Sequence, residues 1–195
     1  MIKIGVTGSI ASGKTTVTSL IRKNKYPLFD ADKCVKNLYK DKKFIKKIIK
    51  KFKLNKVKDI KAQIKKIIFK DKKNLRKIEL FIHPIVRKKM KRFILRHKKQ
   101  KIILFEIPLL VESKLMKFFN KIFFVKSPKK IRLRRYLKNG GSKKLFATLD
   151  SHQMNSSEKA KYCDYIIVNN KSLLVLKNKI KNIMSNYEWN FFRYW

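Results

Sequence analysis

Acid is what this chain lacks. Twelve Asp and Glu residues stand against 53 Lys and Arg in 195 residues, a formal net charge of +41. Each carboxylate kept in so basic a chain is a candidate for a specific task. Cysteine is rarer still: Cys34 and Cys163 are single, far apart and outside any C-x-x-C pattern. That excludes a disulfide framework and a cysteine-rich zinc site, and fits a reducing cytosol. No apolar run approaches the ~20 residues of a membrane span. The N-terminus enters a strand pattern directly, without the charged, apolar and small-residue regions of a signal peptide. A cytoplasmic protein with no membrane partner is expected.

Hydrophobic residues make up 44% of the chain and aromatics 12%, which excludes a disordered polycation. The length suits one α/β domain with a full core and an inserted subdomain. The lysines are spread over nearly every helical pattern rather than gathered on one face. Lys, Ile, Asn and Phe, all abundant here, share A/T-rich codons. We read the excess as compositional drift, with no specific nucleic-acid partner. The competing reading is a nucleic-acid-binding P-loop protein, which calls for arginines interleaved with aromatics on one surface. Phe and Tyr instead fall mostly at apolar helix and strand positions.

Strand-like runs recur at Ile2–Thr7, Pro27–Phe29, Ile102–Phe105, Lys121–Val125 and Tyr165–Val168, separated by helical patterns. This alternation predicts an α/β fold with a parallel sheet wrapped by helices. The stretch from Ala31 to Lys101 is too long for one crossover helix. It carries amphipathic segments at 44–52, 59–69, 74–82 and 84–97, read as a helical insertion over about 40–101. Pro84 is expected to open the last of these helices, where a missing N–H costs nothing. Gly140-Gly141 interrupts two helical patterns in the second half.

Only five glycines exist, and two of them bound GSIASGKT at residues 8–15. This fits the phosphate-cradling loop G-x-x-x-x-G-K-[ST], between a strand and a helix beginning near Thr15. Backbone N–H groups and a helix N-terminus would face the anion, Lys14 would add a point charge, and Thr15 would ligate Mg²⁺. None of the Asn-Lys pairs is followed by the Asp of a guanine-recognition motif, and no Asp lies at D-x-x-G spacing. A GTPase is excluded. The rationed acids follow strand patterns: Asp30 and Asp32 after the second, Glu106 and Glu112 after the third. Ligands of parallel α/β sheets bind beyond these strand ends. Asp30 or Asp32 is expected to cap the next helix. Two carboxylates leave one for chemistry: Asp32 as proton acceptor, with Asp30 or Glu106 organising Mg²⁺ through water. Arginine is also rationed, at nine, and three fall at Arg132, Arg134 and Arg135 ahead of the glycine break. An arginine-bearing helix pair hinged by glycines suits a lid over a triphosphate.

On these residues the chain resembles the dephospho-CoA kinase family. The likeness runs from Ile4 to about Asn170, through VTGSIASGKTTV, FDADKCVKNLY, HPIV, EIPLLVE, the arginines near 134, Gln153 and KYCDYIIVNN. It implies ATP-dependent phosphorylation of the ribose 3′-hydroxyl of dephospho-CoA to give CoA. The implied fold is a P-loop NTPase three-layer domain with a five-stranded parallel sheet, a helical substrate-binding insertion and a lid at about 132–155. The resemblance assigns Ala11, Ser12, Gly13, Lys14, Thr15 and Thr16 to the phosphates of ATP, and Mg²⁺ to Thr15. It makes Asp32 the catalytic base, aided by Lys14 and Arg134. It sets Asp30, His83, Pro84, Pro108, Leu109 and Leu110 along the substrate. Departures are Ser9 and Ala11 for the family's usual glycines, Glu106 for Asp, and Lys138 and Leu149 for arginines. A monomer or weak homo-oligomer is expected; another small-molecule kinase, of nucleoside type, is the enzyme alternative.

Overall fold

A computed structural model of the chain describes residues 1–23, 25–55 and 59–192, without the side chains of 69, 70, 72 and 186–192. Five strands form one sheet: β1 (Ile2–Gly8), β2 (Leu28–Asp30), β3 (Ile102–Glu106), β4 (Lys121–Lys126) and β5 (Tyr165–Val168), in the order β2-β3-β1-β4-β5. The pairs β1–β3, β1–β4 and β4–β5 run parallel. All five residues of β3 are buried, as expected of a strand covered on both faces. Chain order and spatial order diverge around β1, the kind of switch point where strand ends open a crevice.

The chain divides into two compact units, residues 30–96 and the rest. In the larger unit, α1 (Lys14–Arg22) and α9 (Leu173–Phe192) pack together beside the sheet. Their Val17, Ile21, Leu176, Ile180 and Met184 join Ile4, Val6, Leu104 and Phe123 in one apolar cluster. The backbone of α9 is helical to Phe192, and the packing of its last turns lies outside the described residues. Between β4 and β5 come α6 (Lys129–Lys138), α7 (Lys143–His152) and α8 (Ser156–Ala160). Gly140 takes a left-handed φ of 79° in the turn between α6 and α7.

The smaller unit holds α2 (Ala31–Leu38), α3 (Lys42–Phe52), α4 (Ile60–Lys70) and α5 (Lys72–Arg96). Three- and four-residue spacing of apolar residues puts Leu38, Phe44, Ile48, Ile64, Ile78 and Ile82 into a common core, leaving most lysines on the outer faces. Phe81 stacks edge-on to Phe52, at 5.8 Å between ring centres. Inside this unit, which spans residues 30–96, α2 packs against α5. One expectation is corrected here: the segments 74–82 and 84–97 belong to one helix that ends at Arg96, and Pro84 lies inside it rather than at its start. Proline removes the N–H that would reach the carbonyl of Leu80. Leu80 and Pro84 share an exposed face, so water can satisfy that carbonyl.

Candidate active site

Several of the chain's few acids stand at the starts of helices. The side chains of Asp30, Asp41 and Asp59 accept backbone N–H groups at the starts of α2, α3 and α4. Ser142 and Asn155 do the same for α7 and α8. Helix α1 differs. Its N-cap is Gly13, with no side-chain cap hydrogen bond and no acid in the first turn. No side chain caps the positive end of its dipole, the kind of helix start that accommodates an anion.

The loop before α1 is shaped by its own residues and by β5. Gly13 has a left-handed φ of 93°, and a Cβ there would collide with the Asn169 amide, so only glycine fits. Asn169 Nδ2 donates to the Ser12 carbonyl at 2.9 Å, and Arg135 Nη1 donates to the same oxygen at 3.2 Å. Ala11 also adopts a positive φ, 55°, at a position where glycine would be unstrained. Lys14 is buried, its Nζ 3.2 Å and 3.1 Å from the carbonyls of Gly8 and Ser9. Ser12 Oγ is buried without a protein partner. An orphaned hydroxyl, a cation and a helix start without a side-chain cap, all on one loop, together fit a phosphate chain.

Thr15 Oγ1 donates to Glu106 Oε1 at 2.7 Å, and Thr18 Oγ1 donates to Oε2 at 2.8 Å. The extra methylene of Glu106 thus lets one carboxylate span two hydroxyls one helical turn apart. A hydroxyl beside a carboxylate is a hard-oxygen donor set, which suits Mg²⁺. Thr15 and Thr16 are exposed at the start of α1, open to a ligand.

The two expected carboxylates separate. Asp30 Oδ1 accepts the Lys33 N–H at 2.9 Å and caps α2. Asp32 lies exposed in the first turn, so the capping task falls to Asp30 alone. His83 is half-buried on α5, and burial pulls its imidazole below the ordinary range against the pull of Glu79. Pro84 is exposed on the same helix. Pro108 contributes its carbonyl, which accepts Thr7 Oγ1 at 3.0 Å. Leu109 is half-buried. The Leu110 side chain is fully buried and packs against β1, where a Cβ on Gly5 would lie 2.6 Å from its Cδ1.

Arg134 is exposed on α6. Its neighbours do the anchoring: Arg132 Nη1 meets Asp150 Oδ1 at 2.6 Å, joining α6 to α7, and Arg135 reaches the phosphate loop. Sequence reasoning missed Arg135 and Asn169 as loop supports, since nothing in their local pattern reveals contacts to Ser12 across 123 and 157 residues. Burial raises the Cys163 thiol to about 11, so it is no nucleophile at neutral pH.

A parallel sheet, an uncapped helix start behind G-x-x-x-x-G-K-T and a Thr–Glu oxygen pair define a P-loop phosphotransferase. Solved kinases of other substrates share this fold at low identity, among them shikimate kinase from Acinetobacter baumannii (14% identical, TM-score 0.56, covering 97% of this chain and 94% of that one). The dephospho-CoA kinase family model (CoaE) matches residues 2–174. The chain belongs to the dephospho-CoA kinase family. It is 35% identical to the dephospho-CoA kinase of Fusobacterium nucleatum, over 91% of this chain and 94% of the relative. It is 34% identical to that of Bartonella henselae, over 92% and 98%. The solved dephospho-CoA kinase from Campylobacter jejuni is 27% identical with a TM-score of 0.66, covering 95% of this chain and 96% of that one.

Proposed function

We propose that this chain transfers the γ-phosphoryl group of ATP to the ribose 3′-hydroxyl of dephospho-CoA, giving CoA in the last step of coenzyme A biosynthesis. The observation that carries the reading is the uncapped start of α1 behind a Lys-Thr loop, in a member of this family. Backbone N–H groups of Ala11 to Thr16 hold the phosphates, and Ser12 Oγ gains there the partner it lacks within the protein. Lys14 exchanges a loop carbonyl for a β/γ-phosphate oxygen. Thr15 and Glu106 are the residues that would hold Mg²⁺, Glu106 through water. The ion supplies charge neutralisation on the phosphates. Asp32, relieved of capping by Asp30, takes the 3′-hydroxyl proton. Arg134, exposed on α6, supplies positive charge to the phosphates as the 132–155 stretch closes.

His83, Pro84, Pro108, Leu109 and the Leu110 backbone are assigned to the substrate side, as is Asp30. Among the described residues no helix is long and apolar enough to cross a membrane. We place the enzyme in the cytoplasm as a monomer or weak homo-oligomer, and its lysine excess calls for no specific nucleic acid. The test is ADP release across a panel of acceptors: dephospho-CoA, nucleosides and shikimate. Turnover with dephospho-CoA alone is expected. A preferred nucleoside or shikimate acceptor overturns the assignment.

A further inference from the structure

We propose that Gln153 is a positioning residue of the P-loop, and that the buried Lys159–Glu112 pair holds Gln153 in place. The inference rests on the reading of residues 8–15 as the nucleotide loop.

Ile10 sits at the outer bend of that loop, and side chains from one later stretch take both of its backbone polar groups. Its N–H donates to Gln153 Oε1 at 2.8 Å, and its carbonyl accepts Arg132 Nη1 at 3.4 Å. Next to it, Ser9 Oγ and Ser156 Oγ lie 2.8 Å apart. The bend is thus shaped from outside, and the Ile10 N–H is turned away from any phosphate. A loop ordered before ATP arrives does not lose that freedom on binding.

Gln153 follows the last turn of α7 with an extended backbone, so the helix does not fix its direction. Its neighbour does. The Met154 N–H donates to Glu112 Oε1 at 3.1 Å, and that oxygen also accepts Lys159 Nζ at 2.8 Å. Lys159 Nζ donates in turn to the Pro108 carbonyl at 2.6 Å. Lys159 is fully buried, and Glu112 Oε2 is buried without a protein partner. A buried ion pair with an unsatisfied oxygen is a poor stabiliser compared with apolar residues of similar volume. Direction is what it supplies: one ammonium and one carboxylate fix the Pro108 carbonyl and the Met154 N–H, and with them the residue that holds Ile10.

Gln153→Met keeps length and volume and removes the acceptor. In the nucleotide-free protein, amide exchange at Ile10 should accelerate about five- to tenfold, the scale of one lost hydrogen bond. The Kd for ATP should rise by a similar factor, with the KM for dephospho-CoA and the melting temperature near wild type. Lys159→Met with Glu112→Gln leaves no lone buried charge. It should weaken ATP binding to the same extent, and adding Gln153→Met should weaken it no further. Unchanged Ile10 exchange in Gln153→Met, or additive losses in the combined variant, overturns the proposal. So does a fall in melting temperature with the ratio of the two substrate affinities unmoved. The exchange arm needs neither ATP nor acceptor, so failure of the dephospho-CoA assignment would not be confused with failure here.

Discussion

In residues 30–96 the described buried side chains are apolar; the other unit buries Lys14, Glu106, Arg132, Lys159 and Asn169 besides several hydroxyls. The helical unit needs only a pattern, because apolar residues at helical spacing find one another whatever lies on their outer faces. It therefore tolerates lysine at nearly every exposed position. The P-loop unit needs particular partners at particular distances, since a buried polar group is costly unless it is bonded. Glu106 and Arg132 are buried at such places, each of them hydrogen-bonded.

The largest effect expected from breaking this contrast is on chemistry. Lys14→Ala should lower kcat/KM for phosphoryl transfer about 10²–10³-fold, the cost of one donor to developing charge. Circular dichroism should remain that of the wild type. In the helical unit the outcome inverts. Ile48 is fully buried, so Ile48→Ala should cost about 2–5 kcal/mol of stability in urea titrations, with ATP affinity unchanged.

Asp32→Asn and Asp30→Asn sharpen the comparison, because the two residues share a helix start and differ in task. Loss of a general base costs roughly 10²–10⁴-fold, and late proton movement in a loose transition state favours the lower end. Asp32→Asn should thus reduce kcat about 100-fold. Asn caps helices about as well as Asp, so Asp30→Asn should leave the melting temperature nearly unchanged. Loss at Asp30 alone would move the base to that carboxylate.

The smallest effect is a pH dependence confined to the helical unit. Burial lowers the His83 pKa, Glu79 raises it, and Arg87 and Arg76 lower it further. The folded chain then binds this proton less readily than the unfolded chain. The stability so gained is present above the unfolded value of about 6.5 and is lost as pH falls through the folded value. Melting temperature should drop across that window in the wild type and drop less in His83→Gln.

Much of this architecture was legible in the sequence. Each of the five strands was visible as an apolar run between turn signals, and Gly8, Gly13, Lys14 and Thr15 marked the loop by spacing alone. The continuous helix through Pro84 was not legible, because proline reads locally as a start or a break. Whether its freed carbonyl faces water depends on packing. The same limit applies to the acids. Spacing could say that one of Asp30 and Asp32 caps α2, while the backbone geometry decides that it is Asp30. Gln153, Arg135 and Asn169 meet the loop across more than 120 residues of chain, so no local pattern announces them.

The central claim is a specific one: the P-loop unit of this chain delivers a phosphoryl group to one hydroxyl of one acceptor. Phosphorus NMR of the product formed from ATP and dephospho-CoA tests it directly. The account predicts a new phosphomonoester coupled to the ribose 3′ position, with ADP appearing in equal amount. ADP without a new phosphomonoester, or a phosphate on any other hydroxyl, would contradict it.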